Sequence, residues 1–297
     1  MMKCGSTSIQ NILAQLEEKG QIKYFGFRPG PIDNWYKNEV EADFLNKQLL
    51  FSHENYFLDW FKKNHTAIEE MMIAERKDVW VSCENLSGSN IGLEHPVLEK
   101  LQRVKETMGS FDASHLVVRP LHELCLSWFW EINKRGYICS SEDYLLYMKL
   151  TKEDGLIFDL LPSYIIEGFK EIFPKCDLKI YLGVNRVIES IRHIYSENEQ
   201  ISQSNINLSS KLVSVETAKK NLWANKEKHR YLWSQRNKIH DEHFFSDLRK
   251  IKFTNSKVDE SYISMEFREI FVDEVEREKK KLENMGLSNV ANFVLDE

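Results

Sequence analysis

Four short apolar runs constrain this chain most: IKYFGF at 22–27, DVWVSCE at 78–84, SHLVVRP at 114–120 and DLKIYLGV at 177–184. Each has strand length and is bounded by turn or charged residues, while the stretches between them repeat apolar residues at helical spacing. Ile9, Ile12, Leu13 and Leu16 form the first such stripe and predict a helix from about Thr7 to Lys19, stopped by Gly20. Further helices are expected within 51–77, around HPVLEKLQRVKETMG, over LHELCLSWFWEINKRG to Gly136, and over NRVIESIRHIYS. RPGPIDNW reads as an irregular loop because of Pro29, Gly30 and Pro31. Short strands alternating with helices predict an α/β fold on a parallel, doubly wound sheet.

Past residue 200 the character changes. ISQSNINLSSK reads as polar loop, and the rest, including the Phe267, Ile270, Phe271, Val275 stripe, reads as helices. The expected organisation is an α/β core over 1–200 and a helical carboxyl-terminal region over 201–297. EREKKKLENMG reads as the solvated face of the last helix, with Gly286 its stop.

At 297 residues, 42% hydrophobic and with 12 Gly and 6 Pro, the chain carries enough apolar side chain for a packed core. Its net charge of −6 supplies no overall attraction to nucleic acid or to an anionic membrane, so an anion site must be a local feature. Cys4, Cys83, Cys125, Cys139 and Cys176 are odd in number and show no CxxC pair, which favours reduced thiols and a cytoplasmic location. LCLSWFW falls far short of the roughly 20 apolar residues of a membrane helix, so no membrane span is expected.

The opening MMKCGSTSIQNIL places a glycine and small hydroxyl residues at a helix start, where free backbone N–H groups and the helix dipole attract an anion. Lys3 adds a full charge, and Ser6, Thr7 and Ser8 add hydroxyl donors. The string differs from GxxxxGK[ST], because its lysine comes before the glycine. It also reads as a plain terminus with a helix cap. Arg119 follows an apolar strand, at the strand end where open α/β sheets bind ligands, and Ser127 lies eight residues on. A guanidinium fork with a hydroxyl suits a phosphate monoester, whereas each residue alone also fits a structural role.

KCGSTSIQNIL resembles the phosphosulfate loop of sulfotransferases that use 3′-phosphoadenylyl sulfate (PAPS), and VVRPLHELCLSWFWEINKRG resembles their 3′-phosphate motif. DVWVSCENLSG is similar to the middle strand of bacterial carbohydrate-type members. The resemblance covers roughly residues 1–210. It implies a P-loop-type three-layer α/β/α fold with a central, mostly parallel sheet. It also implies a cytoplasmic enzyme that moves a sulfuryl group from PAPS to a hydroxyl on a carbohydrate or glycan-like acceptor. By the same resemblance Lys3, Cys4, Gly5, Ser6, Thr7 and Ser8 hold the phosphosulfate, Lys3 stabilises the leaving phosphate, and Arg119 with Ser127 holds the 3′-phosphate. Asn207, Ser209 and Lys211 are further nucleotide candidates. The implied partners are the nucleotide and the acceptor, without nucleic acid.

An acceptor hydroxyl needs a base, and Glu84, His53 and Glu54 compete for that role, in that order. Glu84 ends a strand, which also suits a loop-bracing carboxylate. No metal is expected: His65, His95, His115, His122, His193 and His229 lack metal-ligand spacing, and His240 with His243 lacks a third ligand. Trp60, Trp80, Trp128, Trp130, Trp223 and Trp233 include possible stacking rings, although burial in the core is the ordinary role of tryptophan.

In this architecture a buried strand precedes the phosphate loop, but only Met1 and Met2 stand ahead of Lys3. The expectation is that the first strand has been omitted, that this chain binds 3′-phosphoadenosine nucleotides poorly, and that a short apolar upstream segment restores binding. Two other readings stand beside the enzyme: a P-loop small-molecule kinase, and a catalytically silent nucleotide- or glycan-binding module. The kinase is disfavoured by the absence of GK[ST].

Overall fold

The computed structural model describes residues 6–28, 36–50, 52–73, 77–82, 95–126, 161–195, 269 and 271–295. The chain gathers into two compact units. The first comprises Met1–Gly88, Val97–Val118 and Ile165–Asn207; the second comprises Ser89–Pro96, Arg119–Tyr164 and Leu208–Glu297.

The fold is mixed α/β. In the first unit the order is α1 (Ser6–Glu18), β1 (Ile22–Gly26), α2 (Glu39–Asp43) with a π-helical turn (Phe44–Gln48), α3 (Glu54–Met72), β2 (Asp78–Ser82), α4 (Val97–Met108) and β3 (Ala113–Val118). It continues with α5 (Pro162–Ile172), whose first three residues fall in the second unit, then β4 (Asp177–Leu182) and α6 (Val184–Tyr195). The four strands and α1, α3, α4 and α6 stand within a few residues of where periodicity places them. Gly20 ends α1 as expected: it adopts φ +72°, its N–H bonds the Glu17 carbonyl at 2.8 Å, and the Gln21 N–H bonds the Leu16 carbonyl at 3.0 Å. α2, the π turn and α5 stand where no element was expected.

All described strand pairing is parallel, but it does not form one continuous sheet. β1 pairs with β2, Ile22 opposite Asp78 through Gly26 opposite Ser82, and β3 pairs with β4, Ala113 opposite Asp177 through Val118 opposite Leu182. Among the described residues the parallel sheet is thus present as two pairs, and no ladder joins β2 to β3.

Alternation of side chains across the strands divides their two faces. Phe25, Val81 and Leu178 join a buried cluster with Phe44, Leu45, Leu49, Phe57, Val104, Phe169 and Phe173. Trp80, His115 and Tyr181 project to the other face, where Tyr195 and Ser190 of α6 meet them. The cluster is aromatic-rich: Phe44 stacks on Trp60 at 5.6 Å and meets Phe25 edge-on at 6.2 Å. Complete burial of Phe44 and Phe57 contributes about 1.5–3 kcal/mol each. Trp60 thus takes the core role.

In the second unit the chain is helical over 121–126, and α7 (Val272–Asn284) packs on α8 (Ser288–Leu295). Gly286, at φ +74°, makes the corner between them, with the Leu287 N–H bonding the Leu282 carbonyl at 2.8 Å. Two corrections follow for EREKKKLENMG. It does not belong to the last helix, since α8 follows it. Nor is it wholly solvated, because Phe271, Glu274, Glu278 and Leu282 form a buried stripe at helical spacing. Glu278 is buried because the first turn of α5 needs an acceptor: it takes the Ser163 N–H at 2.7 Å and also the Ser163 hydroxyl.

Candidate functional site

The outer edge of β1 is sealed by carboxylates. Glu17 Oε1 accepts the Tyr24 N–H at 3.1 Å, and Glu41 Oε1 accepts the Gly26 N–H at 2.6 Å. Between them lies Arg28, whose guanidinium bonds Glu17 at 2.8 Å and Glu41 at 3.1 Å and sits 5.1 Å from the centre of the Tyr24 ring. Burial pushes the Glu41 carboxyl up, against the downward pull of Arg28 and of the Lys37 and Gly26 amides. Burial also opposes ionisation of Glu17, but its bonds to Arg28, Tyr24 and Lys37 win and hold it below the usual range.

These bonds fix which way each strand residue faces. In a parallel ladder a residue turns its N–H and C=O to the same side, and successive residues alternate. Tyr24 and Gly26 face outward, so Lys23 and Phe25 face β2. By the register, Asp78, Trp80 and Ser82 then face β1, which leaves Val79 and Val81 facing away from it. On the other pair, the Asp112 carbonyl accepts the Asp177 N–H at 2.9 Å and the Val118 carbonyl accepts the Gly183 N–H at 3.1 Å. Even-numbered residues of β3 therefore face β4, and Ala113, His115 and Val117 face away from it.

Both inner edges border one cavity of about 810 Å³, lined along its length by Lys77–Ser82 and Asp112–Val117. Ile9 and Leu13 of α1 with Val187 of α6 also line it, as do Leu101 and Val104 of α4 with Phe169 of α5. On the α6 face, an aromatic bridge spans from β2 to β3. Trp80 Nε1 donates to Tyr195 Oη at 2.7 Å, Tyr195 donates to Asp78, and the Trp80 and His115 ring centres are 5.0 Å apart. His115 stacks on Tyr181 at 5.5 Å with Nδ1 3.0 Å from its hydroxyl, which lies 3.1 Å from Ser190. Burial pushes the Tyr195 phenol up to about 12, the bond to Asp78 adding to it. Burial lowers His115, with Lys179 adding and Asp177 opposing. The bridge fixes α6 across both strand pairs and keeps a neutral imidazole in the stack. Sequence reading passed over it because Trp80, His115, Tyr181 and Tyr195 are far apart in the chain; their alternation along the strands was the signal that one face is aromatic.

Ser6 and Thr7 open α1 in the backbone, Ser8 is half-buried in its first turn, and no acidic residue stands in that turn. Gln10, fully buried, has neither amide atom partnered among the described residues. Arg119 directly follows β3, in the second unit, and Glu123 holds its Nε at 2.7 Å. His53 is the exposed residue preceding α3 and makes no capping bond. Glu54 lies 3.7 Å from the buried guanidinium of Arg103, which also meets Glu99 at 3.1 Å and the Phe57 ring at 4.8 Å. Ser8, His53, Glu54 and Arg119 are not in the cavity lining. Lys3, Cys4, Gly5, Glu84, Ser127, Asn207, Ser209, Lys211, His240 and His243 lie outside the described residues, as do Trp128, Trp130, Trp223 and Trp233. Among the described residues no three His, Cys, Asp or Glu side chains gather as a metal site, and no helix is long and apolar enough to cross a membrane.

Compared with known proteins, the chain matches no family model, no curated protein and no solved structure.

Proposed function

We propose that this chain is a cytoplasmic, PAPS-dependent sulfotransferase on a P-loop-type three-layer α/β/α body, acting on a hydroxyl of a carbohydrate or glycan-like acceptor. The observation that carries this reading is the position of α1: it opens at Ser6, directly behind Lys3, Cys4 and Gly5, with an acid-free first turn. The buried amide of Gln10 on the same helix, unpartnered among the described residues, adds a polar group suited to a nucleotide rather than to a closed core. Arg119, on the residue after β3, supports the second half of the motif, with Glu123 holding its guanidinium until a phosphate displaces it.

In the proposed reaction the acceptor oxygen forms a bond to sulfur as the bond from sulfur to the bridging phosphate oxygen breaks. The hydroxyl proton passes to the base, and the electron pair leaves with adenosine 3′,5′-bisphosphate. The backbone N–H groups of the loop and α1, with Lys3, stabilise the charge on that leaving phosphate, so the protein contributes positioning and electrostatics. Glu54 is already engaged by Arg103. Glu84 and His53 are therefore the better bases, with Glu84 ranked first.

Thermal shift tests the reading. Adenosine 3′,5′-bisphosphate should stabilise the chain, and Arg119→Ala should remove most of that shift; a ligand at a hundredfold excess over its Kd contributes about 2.7 kcal/mol. Stabilisation by ATP with magnesium instead would place the protein among kinases. Stabilisation by neither nucleotide would overturn the sulfotransferase reading in favour of a silent module.

A further inference from the structure

The two rims of the 810 Å³ cavity are strand edges with their hydrogen-bonding groups turned inward. Val79 and Val81 of β2 and Ala113, His115 and Val117 of β3 each direct an N–H and a C=O toward the gap, and no backbone partner meets them among the described residues. Unpaired backbone groups in an apolar setting are costly, and parallel strands ordinarily lie in the interior of a sheet. The contrast with the outer edge of β1, where Glu17 and Glu41 occupy the amides of Tyr24 and Gly26, is chemical: one rim is closed by side chains and the other two are open.

We propose that the gap is the seat of a fifth strand, an extended apolar segment that leads into the loop at Lys3, runs parallel to β2 and β3, and pairs with both. Chain direction selects this occupant. α1 delivers the chain to β1 through only Lys19, Gly20 and Gln21, so α1 runs from the carboxyl ends of the strands toward their amino ends. Ile9 and Leu13 of α1 line the gap, and its first residue, Ser6, stands toward the end where a parallel strand in the gap finishes. Strand-to-helix loops of 2–6 residues suffice for that connection. α4 lies between β2 and β3 in the chain, the helical crossover that keeps two strands parallel on either side of a third.

The gap also sets the chemistry of its occupant. One face offers Leu101, Val104 and Phe169, the other Ile9, Leu13 and Val187. Away from the Trp80–His115 bridge on the α6 side both faces are apolar, so the strand is a near-continuous run of β-branched or other aliphatic residues rather than an alternating one, and it carries no proline. The proposal rests on backbone geometry alone and needs no nucleotide, so it stands or falls separately from the sulfotransferase reading.

Residue-level amide exchange tests it, on the 297-residue chain alone and with a six-residue extension ahead of Met1. Three extensions are compared: alternating valine and isoleucine, the same with a central proline, and glycine-serine. The Val-Ile extension should slow exchange of the Val79, Val81, His115 and Val117 amides at least tenfold, while the proline-bearing and glycine-serine extensions should not. The amides of Tyr24 and Gly26, already bonded to carboxylates, serve as the folded-state reference. Equal protection with all extensions, protection already present in the unextended monomer, or loss of the reference amides with the Val-Ile extension would overturn the proposal. So would a concentration-dependent dimer of the unextended chain, seen by light scattering, that protects the same four amides, since a second copy would then fill the gap.

Discussion

Glu41, 1% exposed, accepts the backbone N–H of Gly26 at 2.6 Å and anchors Arg28 at 3.1 Å. One carboxylate thus closes a strand edge and, with Glu17, holds the half-buried guanidinium of Arg28. Glu41→Ala leaves the Gly26 N–H without its acceptor and Arg28 with Glu17 as its remaining carboxylate, and should lower the unfolding free energy by about 1–3 kcal/mol, the cost of an unsatisfied buried donor. Glu41→Gln, which keeps an acceptor but not the charge, should cost less. Urea denaturation of the two variants at pH 7 checks the order, and equal losses would show that an uncharged acceptor contributes nothing there.

A β-carbon on Gly26 would come within 2.2 Å of the Ser82 carbonyl oxygen on the paired strand, a backbone atom that cannot swing aside. Gly26→Ala should therefore push the ends of β1 and β2 apart and cost about 1–3 kcal/mol, the usual penalty of overpacking. Faster exchange at the Tyr24 and Phe25 amides is the local signature to look for.

His115 is held neutral between Trp80 and Tyr181, with Lys179 and Asp177 the nearby charges on β4. Burial is the main cause that lowers its proton affinity below the ordinary value of 6.5. The unfolded chain therefore takes up a proton at this residue before the folded chain does. Stability from His115 is fully present above about pH 6.5 and declines as pH falls toward the lower folded value. His115→Phe should flatten the part of the stability profile that lies between pH 7 and 5. Midpoints in urea at several pH values measure it, and an unchanged slope would contradict the assignment.

Glu278 binds both the N–H and the hydroxyl of Ser163 at the start of α5. Glu278→Ala leaves a buried donor pair unsatisfied and should cost about 1–3 kcal/mol. Ser163→Ala, which keeps the N–H bond, should lose less. Denaturation of both single variants and the double variant gives the coupling between them; strict additivity would mean that the two side chains do not act together.

The four strands were legible because each is a short apolar run with a turn signal beside it, and Gly20, Gly109, Gly183 and Gly286 mark corners with φ of 72°, 78°, 88° and 74°. α5 was missed although Pro162 at its first position and the Ile165, Ile166, Phe169 stripe follow the rules for a helix start and a buried face. Strand partners were not legible: the pattern within IKYFG or ASHLVV states which residues are apolar, not which edge finds a neighbour. Glu17 and Glu41 sit among other charged residues, and only the fold brings them to the rim of β1. The same holds for Glu278, buried in a run that looked wholly exposed. Ser6–Ser8 stand at the head of α1 and Arg119 just past β3, whereas the aromatic bridge arises from residues that are distant in sequence.

The sealed rim of β1 has a consequence for self-association. Of the three residues of β1 that face outward, Ile22, Tyr24 and Gly26, two have their donors occupied by carboxylates of the same molecule. A neighbouring molecule arriving on that flank finds anionic oxygens where a growing β-structure needs free amides. Lateral fibre growth is thereby blocked on that side.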